Sequence, residues 1–382
     1  MNIPKTPNEE MINSLRRLVQ FPSENPPGLT EDIVNFLISD ILTEQTGFRN
    51  EVITHIKNGV KLHNLVSKIG DGDIKIVFSG HFDVVPSGTH SSWTFPPFSA
   101  EIKDDYLYGR GSADMKGGLV SLLYTMKNIS KIPDLLKKCT FIFAGTADEE
   151  AGMTGSLELN NRGITRNASF IIVAEPTNMK IGIAEKGLLW IALRVKGKPA
   201  HSSIPNEGIN AIECMLGILP QIHGSIVPLE NNILGISTVN IGRIQGGNVI
   251  NMVPELVELE LDFRLVPEED PEKVIQKLKQ INVGSCTLEL ERLKNLPALQ
   301  TDINHPLVKN LLKLVNTELV GLPYATDAAN LVNPRHPIPF IIFGPGDPKF
   351  IHSYDERVKI KEVCNSTKFL THALISTYLK EV

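Results

Sequence analysis

Three carboxylates stand side by side at Asp148, Glu149 and Glu150, two residues beyond the apolar run "CTFIFAG" (139–145). Adjacent acids repel one another and are costly to bury, so a solvated turn is their ordinary place. Other parts of the chain argue for a second use. The run "IKIVFSG" (74–80) is followed by His81 and Asp83, and "ASFIIVA" (168–174) by Glu175. The run "IPFIIFG" (338–344) is followed by a loop that holds His352. Asp114 lies in the glycine-rich "GRGSADMKGG". Imidazole with carboxylate is a donor set for zinc, with cobalt or manganese as substitutes. His81, Asp114, Glu149, Glu150, Glu175 and His352 are too many for one tetrahedral zinc. They fit two ions that share a bridging carboxylate, with one acid left over for proton transfer.

Spacing adds detail. In an extended segment, residues two apart face the same side. Asp83 is therefore expected behind His81, accepting its second ring N–H and fixing it as a ligand. Neighbours in sequence point apart, so Glu149 and Glu150 cannot both serve one ion. One could bind metal while the other faces the attacking water, and geometry alone leaves open which. Singly, each motif has a bland reading: H-x-D is more often structural, and a DEE triplet is usually a solvated turn. The case rests on their conjunction at strand ends and a helix start.

The elements that must carry these residues follow from the apolar pattern. "NEEMINSLRRLVQF" and "LTEDIVNFLISDILTE" have helical spacing, and "GGLVSLLYTMKNI" is a helix opened by Gly117-Gly118. The four short apolar runs read as buried strands of a parallel or mixed sheet with both faces covered. In open α/β sheets ligands bind at the carboxyl ends of strands, so the polar loops should converge at one rim. Residues 180–296 read differently, as β-α-β-β-α-β, the order of a ferredoxin-like unit. The expected organisation is an α/β domain from 1–179 and 297–382 with an α+β domain inserted at 180–296.

Composition narrows the class. The 382 residues carry a net charge of −5 and show no Lys/Arg stripe, which argues against a nucleic-acid partner. No apolar run approaches the roughly 20 residues a membrane span needs. The first residues lack a basic stretch followed by an apolar one, so a cytoplasmic protein is expected. Cys139, Cys214, Cys286 and Cys364 are scattered without a CxxC pair and are expected to be reduced, incidental thiols.

The motifs "SGHFDVVPSG", "GRGSADMKGG", "TADEEAG", "AEPT", "GKPAHSS", "GGNVINMVPE…DFR" and "HSYDE" occur in order over residues 75–356. Together they resemble the acetylornithine deacetylase / succinyl-diaminopimelate desuccinylase family, which also holds aminoacylases, carboxypeptidases and dipeptidases. The resemblance implies a dinuclear zinc hydrolase with a mixed sheet flanked by helices, plus an inserted lid and dimerisation domain. It implies that His81 and Glu175 hold one zinc, Glu150 and His352 the other, and Asp114 bridges them, followed by a cis peptide. It implies Asp83 as support for His81, Glu149 as general base, and His201 as an oxyanion donor reaching the partner subunit's site. Asn248, Arg264, Gly344, Gly346 and, ranked lower, Thr326 and Asp327 resemble substrate-binding positions. Phe82 stands where threonine is common, and Asp355 where some members carry asparagine. The implied substrate is an N-acyl amino acid, with a small peptide as the alternative, and the implied assembly is a homodimer.

Overall fold

The computed structural model describes residues 8–227, 229–332 and 337–379. These fall into two compact units. One comprises the chain up to Ile183, Thr301–Val320 and the residues from Thr326 onward; the other comprises Ala184–Gln300 and Gly321–Ala325.

The first unit is built on a mixed sheet. Strands Cys139–Thr146, Ile74–His81, Phe170–Val173 and Phe340–Ile342 lie parallel in that spatial order. Their side chains are almost all buried, as continuous apolar runs require when both faces are covered. In register, His81 stands opposite Thr146, Ser79 opposite Val173, and Val173 opposite Ile342. Their carboxyl ends are thus level, and the loops leave from one edge.

Beyond Cys139–Thr146 the sheet continues antiparallel with Val60–Ile69 and then Arg49–Lys57. This hairpin is not among the strands expected from the apolar runs. It turns on Asn58-Gly59, both with positive φ, the pair that two-residue hairpins favour. The second expected helix is shorter and less regular than its sequence pattern: α-helical over Glu31–Phe36, then wider-turned over Leu37–Ile41.

Helix Gly117–Ile129 packs directly on the strand backbone. A Cβ at Gly118 would lie 1.9 Å from the Ala174 carbonyl oxygen, so only glycine permits this approach. Ile360–Tyr378 lies alongside, with Ser121 Oγ donating to the Val363 carbonyl at 3.2 Å and Thr367 Oγ1 to the Ser121 carbonyl at 3.2 Å.

In the second unit, strands Thr238–Gly246, Leu256–Leu265, Gly187–Lys196 and Thr287–Leu296 form an antiparallel sheet in that order. Numbered along the chain the order is 2-3-1-4, the ferredoxin-like arrangement. Helices Ala211–Ile222 and Pro271–Lys279, capped by Asn210 and Asp270, bury Met215, Ile218, Val274 and Leu278 against Leu193 and Phe263.

The expectation of four reduced thiols is corrected here. Cys214 and Cys286 form a disulfide between residues 72 apart in sequence, and Cys139 and Cys364 are free. Helix 211–222 and the start of strand 287–296 bring the two Cα atoms to 6.4 Å, within bridging range. Scattered positions in sequence gave no sign of that approach. Among the described residues no helix is long and apolar enough to cross a membrane.

Candidate active site

Asp114 sits between two histidines. Its Oδ1 lies 3.2 Å from His81 Nε2, and its Oδ2 lies 3.3 Å from His352 Nε2. His81 also faces Glu175 Oε1 at 3.7 Å, and His352 faces Glu150 Oε2 at 3.1 Å. Ligand atoms of His81, Asp114 and Glu150 all lie within 4.8 Å of one another. Two donor groups, His81 with Glu175 and His352 with Glu150, thus share one carboxylate.

Each member is set by its backbone. His81 closes the buried strand 74–81, and Glu175 leaves strand 170–173 next to it. Asp114 lies ahead of the Gly117–Ile129 helix and is followed by a cis peptide to Met115. Its amide and that of Ala113 both donate to Glu356 Oε1 at 3.0 Å, while Glu356 Oε2 accepts from Arg110 Nη1 at 2.6 Å. His352 has φ of +56°, and half of its side-chain surface is exposed.

Asp83 departs from expectation. His81 Nδ1 lies 2.9 Å from the Asp83 backbone carbonyl and 3.8 Å from its carboxylate. The main-chain oxygen, not the side chain, takes the ring N–H. The carboxylate is turned instead to the amides of Glu149 at 3.1 Å and Glu150 at 3.2 Å, and to Asn25 Nδ2 at 2.8 Å. Either way Nδ1 is tied back, so Nε2 is the atom free for a cation.

The acid triplet separates completely. Asp148, with φ of +68°, is fully buried and accepts from Lys57 Nζ at 2.7 and 2.8 Å, Asn25 Nδ2 at 2.9 Å and Thr154 Oγ1 at 2.6 Å. Glu150 meets His352. Among the described residues the Glu149 carboxylate has no hydrogen-bond partner.

Residues 77–376 match peptidase family M20/M25/M40. The chain belongs to that family. It is a hydrolase of amide bonds, as its M20 membership entails. It is 30% identical to a probable succinyl-diaminopimelate desuccinylase from Staphylococcus aureus, over 98% of each chain. To an acetylornithine deacetylase from Photorhabdus laumondii it is 29% identical, again over 98% of each. An M20 family metallo-carboxypeptidase from Sulfolobus solfataricus shares the fold, with a TM-score of 0.77, 21% identity, and 97% of this chain and 99% of that one covered.

The electrostatics of the M20 site fit a divalent cation. Burial raises the Glu149 and Glu175 carboxyls well above the ordinary range; the His81 charge opposes this, and neighbouring carboxylates add to it. Burial, with the Asp114 charge, lifts Glu150 to about 7. Burial also disfavours a charged His81, yet the Asp114 hydrogen bond and the Glu175 and Glu149 charges raise it well above its usual value. Hydrogen bonds to the Asp114 and Glu150 carboxylates raise His352 to about 10. Asp114 is buried, but its two histidine partners hold it well below the normal carboxylate range. Crowded, desolvated carboxylates beside imidazoles are relieved by a bound divalent ion.

The remaining candidates of the M20 chain separate by unit. Thr326 and Asp327 are buried in the first. Thr326 Oγ1 accepts the Ala328 amide at 3.2 Å, and Asp327 Oδ2 accepts from Thr146 Oγ1 at 2.5 Å. Gly344 and Gly346 have packing roles: a Cβ at Gly344 would lie 2.4 Å from the Ala174 carbonyl oxygen, and Gly346 has φ of +102°. His201, Asn248 and Arg264 belong to the second unit. Arg264 pairs with Asp262 at 3.0 Å, two residues along the same strand face. Asn248 lines an open groove of about 520 Å³ with Ser202 and Ile212.

Sequence reasoning missed Asn25, Lys57, Arg110 and Glu356. The turn-forming "NPPG" marks Asn25, and Glu356 stands within the "HSYDE" motif. Nothing local marks Lys57.

Proposed function

We propose that this chain removes the acyl group from an N-acyl amino acid at a pair of divalent metal ions. The observation that carries this is Asp114, whose two oxygens face two different histidines. His81, Glu175 and Asp114 would hold one ion, and His352, Glu150 and Asp114 the other. Zinc is the expected ion, with cobalt or manganese able to substitute. Such ions supply Lewis acidity that makes a water deprotonate near neutral pH and polarises the scissile carbonyl.

The chain's own residues supply the rest. Glu149 has a free carboxylate beside this centre. It takes the proton of the attacking water and passes it to the leaving amine. Asp83 holds the Glu149 and Glu150 amides, so the base and the ligand keep fixed, divergent directions. We assign His201 the oxyanion. Its Nδ1 accepts the Ser203 amide at 3.2 Å, which leaves Nε2 as the protonated, donating nitrogen. A homodimer belongs to this reading, and sedimentation of the purified chain tests it.

The named relatives support an acyl amino acid over a peptide. The deciding experiment is hydrolysis of N-succinyl-diaminopimelate, N-acetylornithine and a set of dipeptides by zinc- and cobalt-loaded protein. Turnover of an N-acyl amino acid is expected. Turnover of dipeptides alone would move the reading to a dipeptidase or carboxypeptidase, and no metal-dependent turnover would refute it.

A further inference from the structure

A polar chain runs from the protein surface to the catalytic loop, and two of its members, Lys57 and Asn25, lie outside the family-matched span 77–376. It begins at Lys57, the last residue of the edge strand 49–57, whose side chain is about a quarter exposed. Lys57 Nζ donates to both oxygens of the buried Asp148 and, at 3.2 Å, to the Ala151 carbonyl. Asp148 shares the Asn25 amide nitrogen with Asp83, at 2.9 and 2.8 Å. Asp83 then takes the amides of Glu149 and Glu150 and, through its carbonyl, the His81 ring.

The chemistry of this chain is specific. Asp83 and Asp148 are both fully buried and both acidic, and one nitrogen holds an oxygen of each. Two carboxylates so close repel unless a donor lies between them and a cation stands near. Asn25 is that donor. An amide is the suitable group, because its NH₂ has two hydrogens, one for each acid. Lys57 is the only Lys or Arg ion-paired with Asp148 among the described residues. The backbone at Gly28 passes close to the Asn25 side chain: a Cβ there, with φ of +74°, would lie 3.0 Å from its Cγ. Its amide donates to the Val84 carbonyl at 2.8 Å, fastening the loop beside strand 74–81.

From this geometry we infer that Lys57 and Asn25 are positioning residues, which fix the Glu149–Glu150 backbone so that one carboxylate serves as base while the other holds metal. Neither touches a reacting atom. Both act through Asp148 and Asp83, and the inference rests on the roles proposed above for Glu149 and Glu150.

Lys57→Met, Lys57→Arg and Asn25→Ala in the full chain test it. Two readouts are used: kcat and KM of the metal-loaded enzyme, and zinc affinity by competition with a chromogenic chelator. The second needs no substrate, so it stands even where the substrate assignment fails. Lys57→Met and Asn25→Ala should each lower kcat and zinc affinity about 10–100-fold with KM little changed, the usual cost of losing a support behind a metal ligand. Lys57→Arg keeps the cation and should restore most of both. The inference is overturned where folded Lys57→Met or Asn25→Ala keeps wild-type kcat and zinc affinity, or where arginine rescues no better than methionine. It is also overturned where melting temperature falls while kcat and affinity of the folded protein stay unchanged. Asn25→Ala leaves the Lys57–Asp148 pair in place and carries the test should Lys57→Met not fold.

Discussion

The Glu356 carboxylate accepts the Asp114 amide at 3.0 Å, so the residue that faces both histidines is held from behind by a buried acid. The same oxygen takes the Ala113 amide, and the other oxygen takes Arg110. Burial raises the Glu356 carboxyl above its ordinary value and the Asp114 charge adds to this, while Arg110 and the Asp114 and Gly111 amides oppose it. With three donors around it, ionised Glu356 is the form that fits. Glu356→Gln must present an N–H to the Arg110 guanidinium or to the amides. Removing one partner of such a buried pair should cost about 3 kcal/mol. Urea unfolding of the variant checks this.

Glu149→Gln separates proton transfer from metal binding. Glu150 and His352 meet without Glu149. The variant should keep its metal content and lose about 10²–10⁴-fold in kcat. Elemental analysis beside the rate assay decides; retained turnover would remove Glu149 as the base.

Chelation should abolish turnover and lower the melting temperature, because an ion that binds only the folded state stabilises it by mass action. Zinc or cobalt should restore both. Asp114→Asn is expected to weaken both ions together, whereas His352→Ala should weaken one. Metal-to-protein ratios measured at graded zinc concentrations distinguish the two patterns.

His305 provides a pH response away from the candidate metal site. Its Nδ1 accepts the Leu307 amide at 3.3 Å and its ring packs 4.5 Å from Phe170, and burial lowers its pKa. A lowered histidine pKa means the unfolded chain binds more protons. Its contribution is therefore complete above the unfolded value near 6.5 and declines as pH falls below it. Asparagine caps helices without titrating. His305→Asn should flatten the loss of stability between about pH 7.5 and 5 relative to wild type, read from urea midpoints.

The disulfide gives a direct count. Denatured but unreduced protein should react with a thiol reagent at two cysteines, Cys139 and Cys364, and at four after reduction. Closing a loop of this length stabilises by roughly 4 kcal/mol in the chain-entropy account, so Cys214→Ser should lower thermal stability markedly.

How much of this was legible in the sequence depends on range. The parallel strands were readable because buried runs such as "FIIV" and "IKIVFSG" carry their own signature. The ligand positions were readable because each follows such a run. The Asp83 error came from local reasoning: i, i+2 geometry put its carboxylate near His81, but the amides of a loop 66 residues on claimed it. Asp148 carried no local sign of its role, because its partners, Lys57 and Asn25, come from distant segments and no spacing rule connects them. The disulfide was invisible for the same reason.

Parallel strand order has a consequence for synthesis. The groups around Asp114 come from segments as far apart as Asn25 and Glu356, and helix Ile360–Tyr378 packs on the helix that Asp114 precedes. A fragment that ends before His352 holds the donors proposed for one ion but lacks a donor of the other. On a ribosome, the nascent chain would already carry His81, Asp114, Glu150 and Glu175 while His352 is still untranslated. Capture of the second ion is then the late event, and zinc bound per chain should fall abruptly in truncated forms once the cut removes His352.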